Sequence, residues 1–429
     1  MPDVFADLVG QDDAVDTLRR AAASAAAVLR GAAAAHAAAT AGPVDPDDAD
    51  ALAAEAEAEA AEGAGGADPG AGMTHAWIFT GPPGSGRSVA ARAFAAALQC
   101  LRGTGCGECQ GCHTTLAGTH ADVRLVVPEG LSIGVGEMRA LVLRAASTPS
   151  GGRWQVVIVE DADRLTEAAG NALLKAVEEP PPRTVFLLCA PSTHPDDVSV
   201  TIRSRCRVVP LRQPAPEAVA EVLVRRGVAP EVARWAAAAA QGHVGRARRL
   251  AGDPEARSRR DAVLAVPRRL TGVGAAFDAA SALIEAAEAE AEAAVVESDA
   301  AERAALQTAL GAGGTGRGAA GAMRGAAGQL KELERRQKSR ATRAQRDALD
   351  RALVDLAGFY RDALTMALRA PVAPVHTDTA ALAEAGAQRW AAEGALRRLE
   401  AVLECRAAIE ANVKPRIAVE AMMLTLWKG

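Results

Sequence analysis

Gly81-Pro82-Pro83-Gly84-Ser85-Gly86-Arg87-Ser88 decides how this chain is read. It has the spacing of a phosphate-binding loop, with arginine where that motif carries lysine. Ala76-Trp77-Ile78-Phe79 before it predicts a buried strand, and Val89–Leu98 after it predicts an alanine-rich helix. Glycines at such a turn let backbone N–H groups face an anion, and the helix N-terminus adds partial positive charge. Gly81, Gly84, Ser85, Gly86, Arg87 and Ser88 are therefore the expected cradle for a nucleotide phosphate, ATP with Mg²⁺. Lysine is a compact charge that reaches the outer phosphates, whereas arginine is a wide planar fork. The motif thus predicts a nucleotide fold whose own turnover is impaired at Arg87.

The second half of such a site is an acid at the end of an apolar strand. Val156-Val157-Ile158-Val159-Glu160-Asp161 supplies two. Glu160 is placed to help hold Mg²⁺, and Asp161 to polarise a water. Asp161 is one methylene shorter than the glutamate usual at that place, which shortens its reach. The plainer alternative is that both acids face solvent.

Outward from this pair, strand-like runs at Trp77–Thr80, Val123–Val127, Gln155–Val159, Val185–Cys189 and Arg207–Leu211 alternate with helix-like stretches, one near Leu165–Val177. That alternation predicts an α/β domain with a parallel sheet covered on both faces. Gln213-Pro214-Ala215-Pro216 marks its end, and residues 217–270 and 271–429 read as helical. The chain has 429 residues, room for about three domains. Aromatic residues make up only 3% of it, and alanine dominates the apolar half, which favours helix. Two segments are expected to be insertions: an acidic, disordered one at 31–72, and a mobile low-complexity one at 285–328.

The net charge is −5, but residues 32–72 hold nine acids and no Lys or Arg, so the remainder is mildly basic. No run is long and apolar enough to span a membrane. The N-terminus lacks the basic start and apolar core of a signal peptide, which predicts a cytoplasmic protein. Cys100, Cys106, Cys109 and Cys112 crowd into thirteen residues. Four close thiols with interleaved Gly103, Gly105, Gly107 and Gly111 predict a closed, structural zinc site; four reduced thiols are the alternative.

Three further stretches carry a family resemblance: Leu173-Leu174-Lys175-Ala176-Val177-Glu178-Glu179-Pro180-Pro181, Thr201-Ile202-Arg203-Ser204-Arg205-Cys206, and Phe5-Ala6-Asp7-Leu8-Val9-Gly10-Gln11. With the loop above, they resemble the clamp-loader subunits of bacterial DNA polymerase III, an AAA+ family, and within it the delta-prime type. The resemblance implies an AAA+ ATPase-like domain over 1–212 with a zinc module at 100–112, a helical lid over 213–270 and a helical collar over 271–429. It implies tau/gamma and delta subunits as partners, and the sliding clamp and primed DNA through the complex. The role implied is that of an accessory subunit of a DNA-directed DNA polymerase, without ATPase activity of its own. Arg205 matches the Ser-Arg-Cys arginine that serves a neighbour's ATP site, though a surface arginine among Arg203 and Arg207 would look the same. The lid's sensor position falls on Gly245, with Arg246 one place on, about 100° around the helix. An active motor subunit, or a switch that holds ATP without turnover, are the alternatives.

Farther on, Arg336, Arg340 and Arg343 share one helix face that could meet nucleic-acid phosphates or simply be solvated. Asn412–Leu424 resembles the last collar helix, with more apolar positions than one face needs.

Overall fold

The computed structural model describes residues 3–40, 72–151, 153–309 and 319–429. It divides into two compact units: residues 1–128 with 133–218, and residues 219–429 with 129–132.

The first unit is built on five parallel strands, β1 (Ala76–Thr80), β2 (Val123–Val126), β3 (Gln155–Val159), β4 (Thr184–Ala190) and β5 (Arg207–Pro210), in the order β2-β3-β4-β1-β5. Every residue of β1, β3 and β4 is buried, as near-continuous apolar runs demand when helices cover both faces. Side chains alternate between the faces. Trp77, Phe79, Ile158 and Leu187 pack with α1 (Asp12–Thr40) and α2 (Arg87–Leu98). Ala76, Ile78, Val157 and Phe186 pack with α4 (Val135–Ala145) and α5 (Glu167–Glu178). The short α3 (Gln110–Leu116) follows the cysteine segment, and α6 (Val200–Arg203) carries the Ser-Arg-Cys turn.

The second unit is helical. Residues expected as lid form α7 (Pro216–Arg225, its start in the first unit), α8 (Pro230–Ala239), α9 (Val244–Gly252), α10 (Pro254–Leu264) and α11 (Val266–Arg269). Those expected as collar form α12 (Val273–Ala309), α13 (Ala319–Ala367), α14 (Ala380–Glu410) and α15 (Pro415–Lys428). From Val219 onward, lid and collar residues belong to one compact unit. Val219, Leu223, Ala236 and Leu250 make one core, and Leu353, Phe359, Tyr360, Val402 and Met423 another.

The two expected insertions need correction. Helix α1 runs through Thr40, ten residues into the segment read as disordered. The Ala/Glu run from Glu285 lies inside the 37-residue α12, and 319–328 opens α13. Alanine and glutamate are strong helix formers, and a neighbouring helix supplies the burial that composition alone could not promise. Ala287 and Ala291 are buried there. Residues 41–71 and 310–318 lie outside the described residues.

Candidate nucleotide site and cysteine cluster

The strand order puts the two halves of the nucleotide motif on either side of β4, outside the carboxyl ends of the strands, where open α/β sheets bind ligands. Gly81 leaves β1 at φ 155, Gly84 and Gly86 take φ 87 and 93, and helix α2 then starts with no side-chain cap. A Cβ on Gly81 would stand 2.3 Å from the Leu211 carbonyl oxygen and 2.6 Å from Ser85 Oγ, so only glycine fits. Gln11 ties the loop down from the N-terminal segment: its amide donates to the carbonyls of Ser85 and Arg212, and the Arg212 N–H donates back to Oε1 at 3.1 Å. Ser85 Oγ and Arg87 Nη1 are buried without hydrogen-bond partners. Free backbone amides, an unpartnered hydroxyl and an unpartnered guanidinium nitrogen are a donor set that fits a phosphate.

Glu160 closes β3, and its carboxylate accepts from Arg92 Nη2 at 2.9 Å. Arg92, the one basic residue of α2 beyond Arg87, was not singled out from the sequence. Asp161 follows in the left-handed region at φ 49 and opens a 3₁₀ turn at Ala162–Arg164. Burial pushes the Asp163 carboxyl above its usual range, and the charge of Asp161 adds to this. Cys189 is in register with Phe79, one residue before the end of β1. Burial raises its thiol strongly, and Glu160 and Asp161 push the same way against Arg87 and Arg92. It therefore lies between the loop and the acids as a neutral thiol. Its place at the carboxyl end of a central strand was the available signal.

The four cluster cysteines come together, all sulfurs within 4.8 Å of one another. Cys100 Sγ is 3.7 Å from Cys106 Sγ and 3.9 Å from Cys109 Sγ. Sulfurs ~2.3 Å from a central zinc would form a tetrahedron with edges of about 3.8 Å. Amides of Leu101, Cys106 and Cys109 donate to cluster sulfurs at 3.4 Å. Burial alone would raise the Cys100 thiol, but amides of Cys106, Thr104 and Arg102 outweigh it and bring it to about 6. Gly103, Gly105 and Gly107 take left-handed turns at φ 71, 70 and 73. Gly111 serves differently: a Cβ there would meet the Gln99 carbonyl oxygen at 2.1 Å. His113 is not part of the group. The donor set and spacing fit a tetrahedral metal with no open position.

Arg205 is partly exposed on the turn after α6, its guanidinium 2.7 Å from Glu178 at the end of α5 and 3.0 Å from the Thr201 carbonyl. Arg246 is bound by Asp355 within the second unit. Arg336, Arg340 and Arg343 each meet a carboxylate, on Glu129, Glu302 and Asp347 respectively. On α15, Val419, Met423 and Leu426 are buried within the chain while Ile417 is 59% exposed.

A family model described as DNA polymerase III, delta subunit, matches residues 70–215, the segment that contains the loop, both acids, the cysteines and Arg205. That segment belongs to the DNA polymerase III delta-subunit family. The chain is 34% identical over 164 residues to subunit delta′ of Bacillus subtilis, covering 38% of this chain and 49% of that protein. It is 36% identical over 157 residues to the gamma/tau subunit of Mycobacterium bovis, covering 36% of this chain and 27% of that one. The chain thus spans half or less of the length of these curated relatives. A solved gamma subunit-related protein of DNA polymerase III from Thermotoga maritima overlays with a TM-score of 0.39 at 14% identity, covering 83% of this chain and 94% of that one. The fold of the delta-family segment rests on its strand order and register, not on that overlay.

Proposed function

We propose that this chain is a delta-prime-type clamp-loader subunit that acts as a stator: it helps assemble the loader that places a sliding clamp on primed DNA, and motor subunits of the tau/gamma type hydrolyse the ATP. The observation that carries this reading is Arg87 at the lysine position of an otherwise intact loop. At the lid's sensor position stands Gly245, and the next residue, Arg246, is engaged by Asp355. ATP with Mg²⁺, when bound, would bring the phosphates that the loop amides, Ser85 and Arg87 face, and Glu160 and Asp161, across β4 from the loop, would be the acids for the metal and the water. The Glu160–Arg92 pair keeps that carboxylate engaged.

Arg205 would act on a neighbour's site. Its bond to Glu178 is between partly exposed groups, worth at most about 1 kcal/mol, so exchanging Glu178 for a phosphate is easy. A guanidinium brought to the outer phosphate stabilises transition-state charge. Zinc on the four cysteines would have a structural role only. A second reading, nucleotide held without turnover, is favoured by the unpartnered Ser85 Oγ and Arg87 Nη1.

The test is single-turnover hydrolysis by the isolated chain, beside steady-state ATPase of a loader reconstituted with Arg205→Ala. The expected result is no hydrolysis by the chain alone, and loss of turnover at one loader site with assembly intact. Motor-like hydrolysis by the isolated chain, or unchanged loader ATPase with the variant, refutes the stator reading.

A further inference from the structure

The second unit contains a cavity of about 200 Å³ between α9, α10 and α11 on one side and α12 and α13 on the other. Its wall is apolar: Leu250, Val263, Val266 and Leu283, with small alanines leaving the space open. Arginines line the same cavity at 246, 249, 259, 260, 269 and 351, against two acids, Glu290 and Asp355.

The pairing of these groups is uneven. Arg249, Arg259 and Arg351 all converge on Glu290, at 2.6, 3.4 and 2.7 Å. Arg246 and Arg260 share Asp355. Outside the wall, Asp253 and Glu255 also accept from Arg259, and Asp378 from Arg260. Even with these, Arg269 is exposed and has no carboxylate partner among the described residues. Arg260 is 3% exposed, and its Nε, 3.5 Å from an Asp355 oxygen, makes no hydrogen bond. A buried guanidinium nitrogen without an acceptor is costly unless something supplies one. An apolar hollow with surplus, partly unsatisfied arginines matches a ligand with an apolar body and an anionic head.

We propose that this cavity binds a small amphiphilic anion, a short aliphatic chain ending in a carboxylate or phosphate head. The chain fills the alanine-lined hollow, and the head takes the donors that Glu290 and Asp355 leave over. The site is separate from the nucleotide loop and independent of the stator reading.

Isothermal titration of the full chain with octyl phosphate, octanoate, octanol and inorganic phosphate tests it. The expected result is saturable one-to-one binding of octyl phosphate or octanoate, with octanol and inorganic phosphate at least tenfold weaker. The stronger of the two heads identifies which anion the site prefers. Arg269→Ala should weaken the anionic amphiphile about tenfold and leave octanol unchanged. Ala286→Leu, at an exposed wall position where the larger side chain adds no core strain, should block binding without lowering the melting temperature. No saturable binding, octanol binding as tightly as octanoate, or both variants binding normally would overturn the proposal.

Discussion

At the level of single residues, the nucleotide loop depends on atoms it lacks as much as on those it has. Gly81→Ala would drive a methyl into the Leu211 carbonyl, which cannot retreat without moving the chain at the end of β5, and would force Ser85 Oγ aside. A loss of about 3 kcal/mol in urea unfolding is expected, the range of steric strain at a fixed backbone site. Asp122 makes a second sensitive point. It is 4% exposed and accepts from the Ser150 amide and hydroxyl and from the Gly151 amide. Burial would raise its carboxyl, but these donors and His120 outweigh burial and hold it below the usual range. A depressed folded-state value means the unfolded chain binds the proton more readily. Its stabilisation is present above pH ~4 and is lost as the pH falls through the folded value. Acid unfolding of wild type and Asp122→Asn should therefore converge at low pH; parallel curves down to pH 2 would contradict this. Arg87 and the cysteines could be read from the sequence because spacing alone defines them. Arg92 could not, and Cys189 only as the end of a strand, since their meaning depends on which strands become neighbours.

At the level of elements, the cysteine segment has little apolar substance of its own. Residues 100–112 hold only one large aliphatic side chain, Leu101, and it is 64% exposed. Its shape comes from left-handed glycines and from amides that point at sulfur. Chelation of a metal-loaded sample should release about one equivalent of zinc and expose the thiols to alkylation. The β-sheet, with its own cores, should keep its far-UV signal. Alkylation unaffected by chelator would count against a metal there. The five strands were legible because continuous apolar runs bounded by turns are what a doubly covered parallel sheet requires. The stretches of α12 from Glu285 onward and of α13 up to residue 328 were not. Their sequences lack an aromatic or leucine stripe over much of their length, and their order depends on each other.

At the level of the whole molecule, the first unit answers to hydrophobic pattern and the second partly to buried charge. Asp355 receives Arg246 and Arg260, the His376 ring meets Arg260 at 3.0 Å, and Trp235 donates to Asp378 at 3.1 Å. This network, with the apolar core that Val263, Leu264, Val266 and Leu270 share with Leu353 and Phe359, joins lid and collar helices into one unit, while the proline-rich joint at 213–216 lies next to the border between the two units. Asp355→Ala would strand the Arg246 guanidinium in a buried place and leave Arg260 with Asp378 alone, a loss of about 3 kcal/mol. Thermal unfolding should show the second unit melting earlier while the first keeps its transition. A single unchanged transition would show that the pairs contribute nothing.

The hairpin of α12 and α13 has a consequence for how this chain tolerates change in length. Among the described residues, buried apolar side chains end at Val295 on one helix and begin at Ala348 on the other. Beyond them the helices are joined by polar links, Arg340 to Glu302 and Arg303 to Gln337. Such a zipper is less exacting than a packed core, but Arg336 on Glu129 and Ser339 against Gly130 fix its lower part. Whole turns could be inserted in matched pairs only beyond Arg303 and Arg336.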